Sequence, residues 1–269
     1  MVLFNSMDRV NHSLSNIFLK KSVLVYTLHK SGSTLFSRLL FPHCFRLSHS
    51  DIDSNIYNAH SISSALCSLN FETRGQIYGP IRVSSFGTSD EWREYHKIIL
   101  KSNFFHQFRK LIVIRDPRDI IVSAYYSFGQ THELSKHESI RSSQIAMRSK
   151  IESLSIDDFA LYYAEVLKSS LKILIDIKES KGPRCYLLRY EDLILDWDTF
   201  RAELAKVLSV PRGVCQQLYN QARPRACPDM SAHKRSGKVE QFREELKVAT
   251  IDRVNHLLRE ELGYFRYSI

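Results

Sequence analysis

The chain has 269 residues, is 43% hydrophobic and carries a formal net charge of +9 at pH 7. This length suits one large α/β domain or two small ones, and nine glycines and seven prolines are too few for long flexible linkers. No apolar run is long enough to span a bilayer, and the first residues lack a secretion-signal layout, so we expect a soluble, cytoplasmic protein. The five cysteines include no Cys-x-x-Cys pair, which argues against a disulfide framework or a zinc site.

Strand-like apolar runs alternate with helical patterns along the chain. The runs are residues 22–28, 111–114 and 185–188. The clearest helical patterns are residues 155–179, with Ser155 and Asp158 as a capping signal, residues 197–208, and residues 250–262, with Gly263 as the stop. The alternation predicts an α/β fold with three α/β/α layers around a central, mainly parallel sheet. Residues 41–110 and 129–150 have weak periodicity, and we assign them no elements.

The first strand leads into a short loop, Lys30-Ser31-Gly32-Ser33-Thr34, and a helical pattern follows at once. Such a junction directs free backbone N–H groups and the helix dipole at an anion, and this loop adds a lysine and three hydroxyl groups. It is P-loop-like, but it is not a Walker P-loop, because its lysine precedes its only glycine. The alternative is an ordinary strand-to-helix turn with a Ser or Thr cap.

A second basic position follows the strand at 111–114. Arg115 lies at the carboxyl end of this strand, and Asp116 and Pro117 then form a good helix start. Ser123 falls in the second turn of that helix. A guanidinium with a hydroxyl nearby suits a phosphate monoester.

Both basic positions are expected to open on one crevice. Ligands of parallel α/β sheets bind beyond the carboxyl ends of the strands, where Lys30 and Arg115 both stand. The charge of +9 likewise favours an anionic partner, either nucleic acid or a phosphate-rich small ligand, although it is also consistent with a merely solubilising surface. For Arg115 the alternative is a pairing with Asp116 or Asp119 that only stabilises the turn.

Four segments, in this order, resemble motifs of the PAPS-dependent sulfotransferase family. Residues 29–34 resemble its 5′-phosphosulfate loop, usually Pro-Lys-Ser-Gly-Thr-Thr-Trp, and residues 115–123 resemble its 3′-phosphate motif. Residues 187–193, Leu-Leu-Arg-Tyr-Glu-Asp-Leu, are similar to its Tyr-Glu-Asp-Leu segment. Residues 235–238, Arg-Ser-Gly-Lys, resemble its Arg-Lys-Gly element. Together the motifs span nearly the whole chain.

The resemblance implies a single sulfotransferase domain over 1–269, with an N-terminal extension at 1–21, a motif-bearing core at 22–245 and a C-terminal helix at 246–269. The implied reaction moves a sulfuryl group from 3′-phosphoadenosine 5′-phosphosulfate (PAPS) to a hydroxyl or amine. The implied acceptor is a small molecule, a lipid or a carbohydrate, and we expect no nucleic-acid partner. No aspartate pair stands beside the loop to hold Mg²⁺, so we expect a metal-independent reaction.

The family's binding roles transfer to this chain by position. They place the 5′-phosphosulfate on Lys30, Ser31, Gly32, Ser33 and Thr34, and the 3′-phosphate on Arg115, Ser123, Arg235, Ser236 and Gly237. Tyr190 falls where the family has an aromatic residue near the adenine, and its alternative role is that of a buried core residue at a strand end. Lys30 is also the implied catalytic cation, because sulfuryl transfer leaves negative charge on the bridging oxygen.

The chain departs from the family pattern at several positions. His29 replaces proline before the loop lysine, and Leu35 stands where many relatives have a tryptophan that stacks on adenine. In the C-terminal element Ser236 replaces lysine, Glu240 replaces glycine and Phe242 replaces tryptophan. We therefore expect altered adenine packing and a weaker or shifted clamp on the 3′-phosphate.

The general base is not specified by the motifs. The acceptor must lose a proton to a positioned His, Asp or Glu. In the family this residue is a histidine before the second strand or an acidic residue after the first helix. The candidates here are Asp51 and His96, ranked equally, with Asp53 and His60 behind them.

Three other functions compete with this interpretation. A P-loop kinase or nucleotide hydrolase shares the strand–loop–helix layout but would need the Walker spacing and a metal-binding aspartate. A nucleotide-binding relative without activity would keep the motifs, and a nucleic-acid module would use the basic surface.

Overall fold

In the computed structural model of the chain, the residues described are 20–52, 71–83, 105–131, 134, 138–224 and 237–269. Within these residues, five strands form one sheet in the order β2-β3-β1-β4-β5, and every neighbouring pair runs parallel. The strands are β1 (Val23–Thr27), β2 (Ser48–Ser50), β3 (Gln76–Arg82), β4 (Arg109–Ile114) and β5 (Cys185–Arg189). Because all five are parallel, their carboxyl ends meet at one edge of the sheet.

Helices occupy most of the remaining described chain. The first, α1 (Ser33–Leu35), continues into a π-helical turn (Phe36–Leu40) and a 3-10 turn (Phe41–His43). The others are a 3-10 turn (Phe105–Gln107), α2 (Pro117–Tyr126), followed by a π-helical turn (Ser127–Thr131), α3 (Glu138–Glu152), α4 (Ile156–Glu179), α5 (Tyr190–Leu195), α6 (Trp197–Val207), α7 (Arg212–Ala222), α8 (Phe242–Glu245), α9 (Val248–Leu257) and α10 (Arg259–Tyr264). Among the residues described, no helix is both long and apolar enough to cross a membrane.

The sheet divides the core into two halves, because successive side chains of a strand point to opposite faces. One face packs against α2, α4 and α9, and its cluster includes Leu24, Tyr26, Ile112, Ile114, Ile121, Leu171 and Val254. The other face packs against the turns after α1 and against α6 and α7, and its cluster includes Val23, Val25, Leu111, Val113, Phe36, Phe200 and Leu218. The predicted three-layer α/β/α architecture with a central parallel sheet is thereby confirmed.

Two predicted helix starts are formed as expected. The side chain of Asp116 caps α2 by accepting from the backbone N–H of Arg118, and Pro117 is the first helical residue. The side chain of Ser155 caps α4 by accepting from the N–H of Asp158. The first cap fixes where α2 leaves the sheet after β4, and the second fixes where α4 begins after α3.

The predicted end of the last helix is wrong. The pattern at 250–262 forms two helices that break at Leu258, and the second of them runs through Gly263 to Tyr264. Gly263 therefore does not stop a helix. A Cβ placed there would meet nothing within 4 Å, so this glycine is required neither by space nor by its backbone angle.

Two strands, β2 and β3, lie within residues 41–110, where the weak periodicity predicts no elements. Gly79 and Pro80 make β3 hard to predict from the sequence, since proline is unusual inside a sheet except at bulges. The pairing of β3 with β1 shifts register at this point, between the pairs Leu24↔Tyr78 and Tyr26↔Ile81. A Cβ on Gly79 would lie 2.7 Å from the carbonyl oxygen of Val25, so the close approach requires glycine.

Candidate active site

The loop between β1 and α1 turns through two residues in the left-handed backbone region. Lys30 has φ 67° and Gly32 has φ 83°. A Cβ on Gly32 would lie 3.0 Å from Cδ2 of Tyr190, so glycine suits both the angle and the space. Because helical structure begins at Ser33, the first N–H groups of this turn have no acceptor within the helix. The loop presents these donors at the carboxyl edge of the sheet.

Three adjacent strands end in cationic side chains at this edge. Arg82 is the last residue of β3, Lys30 follows β1, and Arg115 comes directly after β4. The guanidinium of Arg82 donates to Oγ of Ser33 through Nε at 3.2 Å and through Nη2 at 3.0 Å. The middle strand therefore places the loop between two arginines.

The electrostatics of Lys30 reflect this concentration of positive charge. Burial, followed by the charges of Arg82 and Arg115, lowers the pKa of Lys30 from 10.5 to about 8. Its ammonium group donates to Oγ of Ser127 at 2.8 Å. A lysine that shares a partly buried site with two arginines is stabilised by an anion, which offsets the mutual repulsion.

Two donors at the site have no hydrogen-bond partner in the described part of the chain. They are Oγ of Ser31 and Nε of Arg115, and both atoms are buried. Buried polar groups are normally paired, so unpaired donors beside three cations are the arrangement that a bound anion would satisfy. The donor set fits a phosphate or sulfate group.

Arg115 connects the loop to the C-terminal part of the chain. Its Nη1 donates to the carbonyl oxygen of Lys30 at 3.4 Å, and its Nη2 donates to that of Lys238 at 2.7 Å. Nη2 also lies 3.5 Å from Oδ2 of Asp119. The pairing with Asp119, considered above as an alternative, is thus formed, while Arg115 also contacts the loop.

Residues 237–242, here called the strap, are held against α2 and α5. Asp119 accepts from the backbone N–H groups of Glu240 at 2.9 Å and Phe242 at 3.1 Å, and burial raises the pKa of this carboxyl. The hydroxyl of Tyr190 donates to the carbonyl oxygen of Gly237 at 3.2 Å. Glu240, where the family usually has glycine, has φ 57° and so retains a left-handed backbone.

Tyr190 lies between the loop and the strap. It is 5% exposed, and the guanidinium carbon of Arg115 lies 4.9 Å from the centre of its ring. Burial raises the pKa of its hydroxyl. Tyr190 is thus both a buried core residue and a wall of the site.

The structure describes only part of the predicted set of site residues. It brings the loop, Arg115, Tyr190 and Gly237 into one region, and it places Ser123 half-buried on α2. Asp51 follows the edge strand β2, and its negative charge acts on Arg82, whose pKa burial lowers to about 10. The remaining candidates, Asp53, His60, His96, Arg235 and Ser236, lie outside the described residues.

Sequence reasoning missed three residues of this region: Arg82, Asp119 as a support of the strap, and Ser127. Arg82 was not predicted because its strand, β3, contains Gly79 and Pro80 and is not recognisable from the sequence. Ser127 lies one helical turn beyond Ser123, a spacing that places both on the same face of a helix and could have drawn attention to it.

Within the described ranges, no group of three or more His, Cys, Asp or Glu side chains is placed to hold a metal ion.

The family model of the sulfotransferase domain matches residues 20–266, and the chain belongs to this family.

Two solved structures share the fold. Retinol dehydratase, in complex with androsterone and the inactive cofactor PAP, is 15% identical, with 90% of this chain and 80% of that chain covered and a TM-score of 0.52. Mouse sulfotransferase SULT7A1, complexed with PAP, is 11% identical, with 93% and 88% covered and a TM-score of 0.51. At these identities the likeness establishes the fold. Among curated proteins, none matches the chain in sequence.

Proposed function

We propose that this chain transfers a sulfuryl group from PAPS to a hydroxyl or amine of a small-molecule, lipid or carbohydrate acceptor, by in-line displacement and without a metal. The observation that carries the proposal is the cluster of Lys30, Arg82 and Arg115 at the ends of three adjacent parallel strands. The motifs and the family membership agree with it.

Each part of the donor has residues suited to it. Backbone N–H groups of the loop and the unpaired Oγ of Ser31 would hold the 5′-phosphosulfate. Arg115 and Ser123, with the strap closing over them, would hold the 3′-phosphate. Tyr190 would contact the adenine side of the nucleotide. When bound, PAPS supplies the transferable sulfuryl group.

Lys30 is the residue we assign to catalysis. Negative charge develops on the oxygen that joins the sulfuryl group to the departing nucleotide, and a preorganised ammonium group stabilises that charge most strongly in the transition state. Arg82 would orient the loop through Ser33 and add a second positive charge beside the transferred group. Positioning and charge stabilisation then account for most of the catalysis, by analogy with phosphoryl transfer.

The acceptor's proton requires a base, and we propose Asp51 or His96 for this role. Asp51 stands at the same edge of the sheet as the cations and interacts with Arg82. The variants D51N and H96A distinguish the two. The variant that lacks the base is expected to lose at least about 100-fold in kcat, whereas the other retains activity.

The nucleotide specificity is tested by thermal unfolding with and without ligand. We expect 3′-phosphoadenosine 5′-phosphate (PAP) to raise the Tm in the presence of a chelator, because a ligand that binds only the folded state stabilises it. A shift with Mg-ATP alone would instead indicate a P-loop kinase or hydrolase and would refute the proposal.

The two basic residues are expected to have separable roles. K30A should abolish transfer and leave 3′-phosphoadenosine binding largely intact, because the charge that Lys30 stabilises appears on the 5′-phosphate oxygen during the reaction. R115A should weaken PAP binding first. Equal loss of binding and transfer in both variants would contradict this division.

A further inference from the structure

A buried carboxylate joins the C-terminal end of the chain to the strand end that carries Arg115. Oε1 of Glu191 accepts from the backbone N–H of Asp116 at 2.8 Å, and Oε2 accepts from the hydroxyl of Tyr267 at 3.0 Å. Asp116 is the residue after Arg115 and caps α2. One side chain therefore ties three separate parts of the chain together beside the site.

We propose that Glu191 and Tyr267 are positioning residues for the 3′-phosphate site, and that nucleotide binding draws a proton onto Glu191. This inference rests on the proposed function, since it takes Arg115 as a ligand of the nucleotide. Neither residue would touch the nucleotide; both would act through Arg115 and the start of α2.

Charged and titratable groups face Glu191 from every element around it. They are Arg115 at the end of β4, Asp116 before α2, Arg189 at the end of β5 with Nε 4.0 Å from Oε2, Tyr190 on α5 and Tyr267 near the C-terminus. The negative charge of Asp116 is paired with Arg118, whose Nη2 donates to Oδ2 of Asp116 at 2.7 Å. Burial raises the pKa of Glu191 to about 6, and the charge of Arg115 acts in the opposite direction.

A phosphate bound to Arg115 would change this balance. It offsets the positive charge that favours the carboxylate, so the pKa of Glu191 rises in the complex. A group whose pKa is higher in the complex takes up a proton on binding, and the affinity therefore increases as the pH falls through that range. The protonated carboxyl keeps both contacts, because its carbonyl oxygen accepts from Asp116 and its hydroxyl donates to the Oη of Tyr267.

The test is calorimetric titration of the full-length protein with PAP between about pH 5.5 and about pH 8, in buffers of different ionisation enthalpy, which measures proton uptake. The 3′-phosphate of PAP itself titrates in this range. The informative quantity is therefore the difference in proton uptake between wild type and E191Q. Glutamine reproduces the protonated carboxyl, since its oxygen can accept from Asp116 and its nitrogen can donate to Tyr267.

We expect E191Q to bind PAP at least about threefold more tightly than wild type near pH 8, to match it near pH 5.5, and to take up fewer protons. Identical pH dependence in the two proteins would overturn the inference while leaving nucleotide binding intact. A wild-type protein that does not bind PAP would overturn both this inference and the proposed function.

Y267F provides a second test that keeps the carboxylate, in case E191Q does not fold. Loss of the Tyr267 hydroxyl removes a donor to the charged form, so the pKa of Glu191 rises further. The pH at which the affinity changes is expected to move upward in Y267F. A lower stability with an unchanged pH profile would show that Tyr267 serves only the fold.

Discussion

Replacement of Gly32 by alanine tests the geometry of the loop directly. The backbone of Gly32 has φ 83°, and an added Cβ would lie 3.0 Å from Cδ2 and 3.2 Å from Cε2 of Tyr190. A left-handed backbone costs a residue with a Cβ about 1–2 kcal/mol, and forcing extra volume into a packed site costs about 1–3 kcal/mol. We therefore expect G32A to lower the free energy of unfolding by about 2–5 kcal/mol.

The effect should be visible as a fall in Tm of at least about 4 °C in a thermal melt. PAP affinity should fall as well, because displacement of Tyr190 disturbs both the loop and the strap. The matched control is G213A, since a Cβ on Gly213 in α7 would meet nothing within 4 Å. Alanine is favoured over glycine in a helix by up to about 1 kcal/mol, so G213A should be neutral or slightly stabilising.

A double-mutant cycle with Y190A separates the two contributions. Removal of the ring removes the collision but not the cost of the backbone angle, so G32A should cost about 1–2 kcal/mol in the Y190A background. A G32A variant that behaves like G213A, or that costs the same with and without the Tyr190 ring, would contradict these assignments.

The remaining predictions concern the cations and the support of the strap. The kcat/KM for the donor should fall as the pH rises above about 8, because Lys30, whose pKa is lowered to about 8, then loses its proton. R82Q should move this limb of the pH profile to higher pH by removing a neighbouring positive charge, and an unchanged limb would show that Lys30 is not the titrating group. In D119A, Arg115 and two backbone donors lose their acceptor, so urea unfolding should show a loss of about 3 kcal/mol or more, while D252A on the exposed surface of α9 should stay within about 0.5 kcal/mol of wild type.

The sequence predicted the elements whose signals are local. The capping residues Asp116 and Ser155 are read from their neighbours alone, and the strands β1, β4 and β5 are short apolar runs. The expectation that residues 185–188 are a buried strand is wrong, because β5 lies at the edge of the sheet that the structure describes and is mostly half-buried. These signals were enough to predict the fold class and the strand end that carries Arg115. By contrast, β3 contains Gly79 and Pro80, whose meaning depends on a register shift against a neighbouring strand.

The site was predicted less completely than the fold, for a similar reason. The loop and Arg115 belong to contiguous motifs, whereas Arg82 joins them only because β3 lies beside β1 in the sheet. The roles of Asp119 and Glu191 depend on contacts with residues that are distant along the chain. Asp119 is 121 residues from Glu240, and Glu191 is 75 residues from Asp116. No local pattern encodes such contacts. The predicted end of the last helix is wrong because the helix continues through Gly263.

The most direct test of the account is transfer of a radiolabelled sulfuryl group from PAPS to a panel of alcohols, phenols, sugars and amines, with wild type and K30A compared in the presence of a chelator. We expect labelled product with wild type, and none above background with K30A even though this variant still binds 3′-phosphoadenosine. Product formed equally by K30A, or no product from wild type with any acceptor, would contradict the central role of the Lys30 loop in sulfuryl transfer.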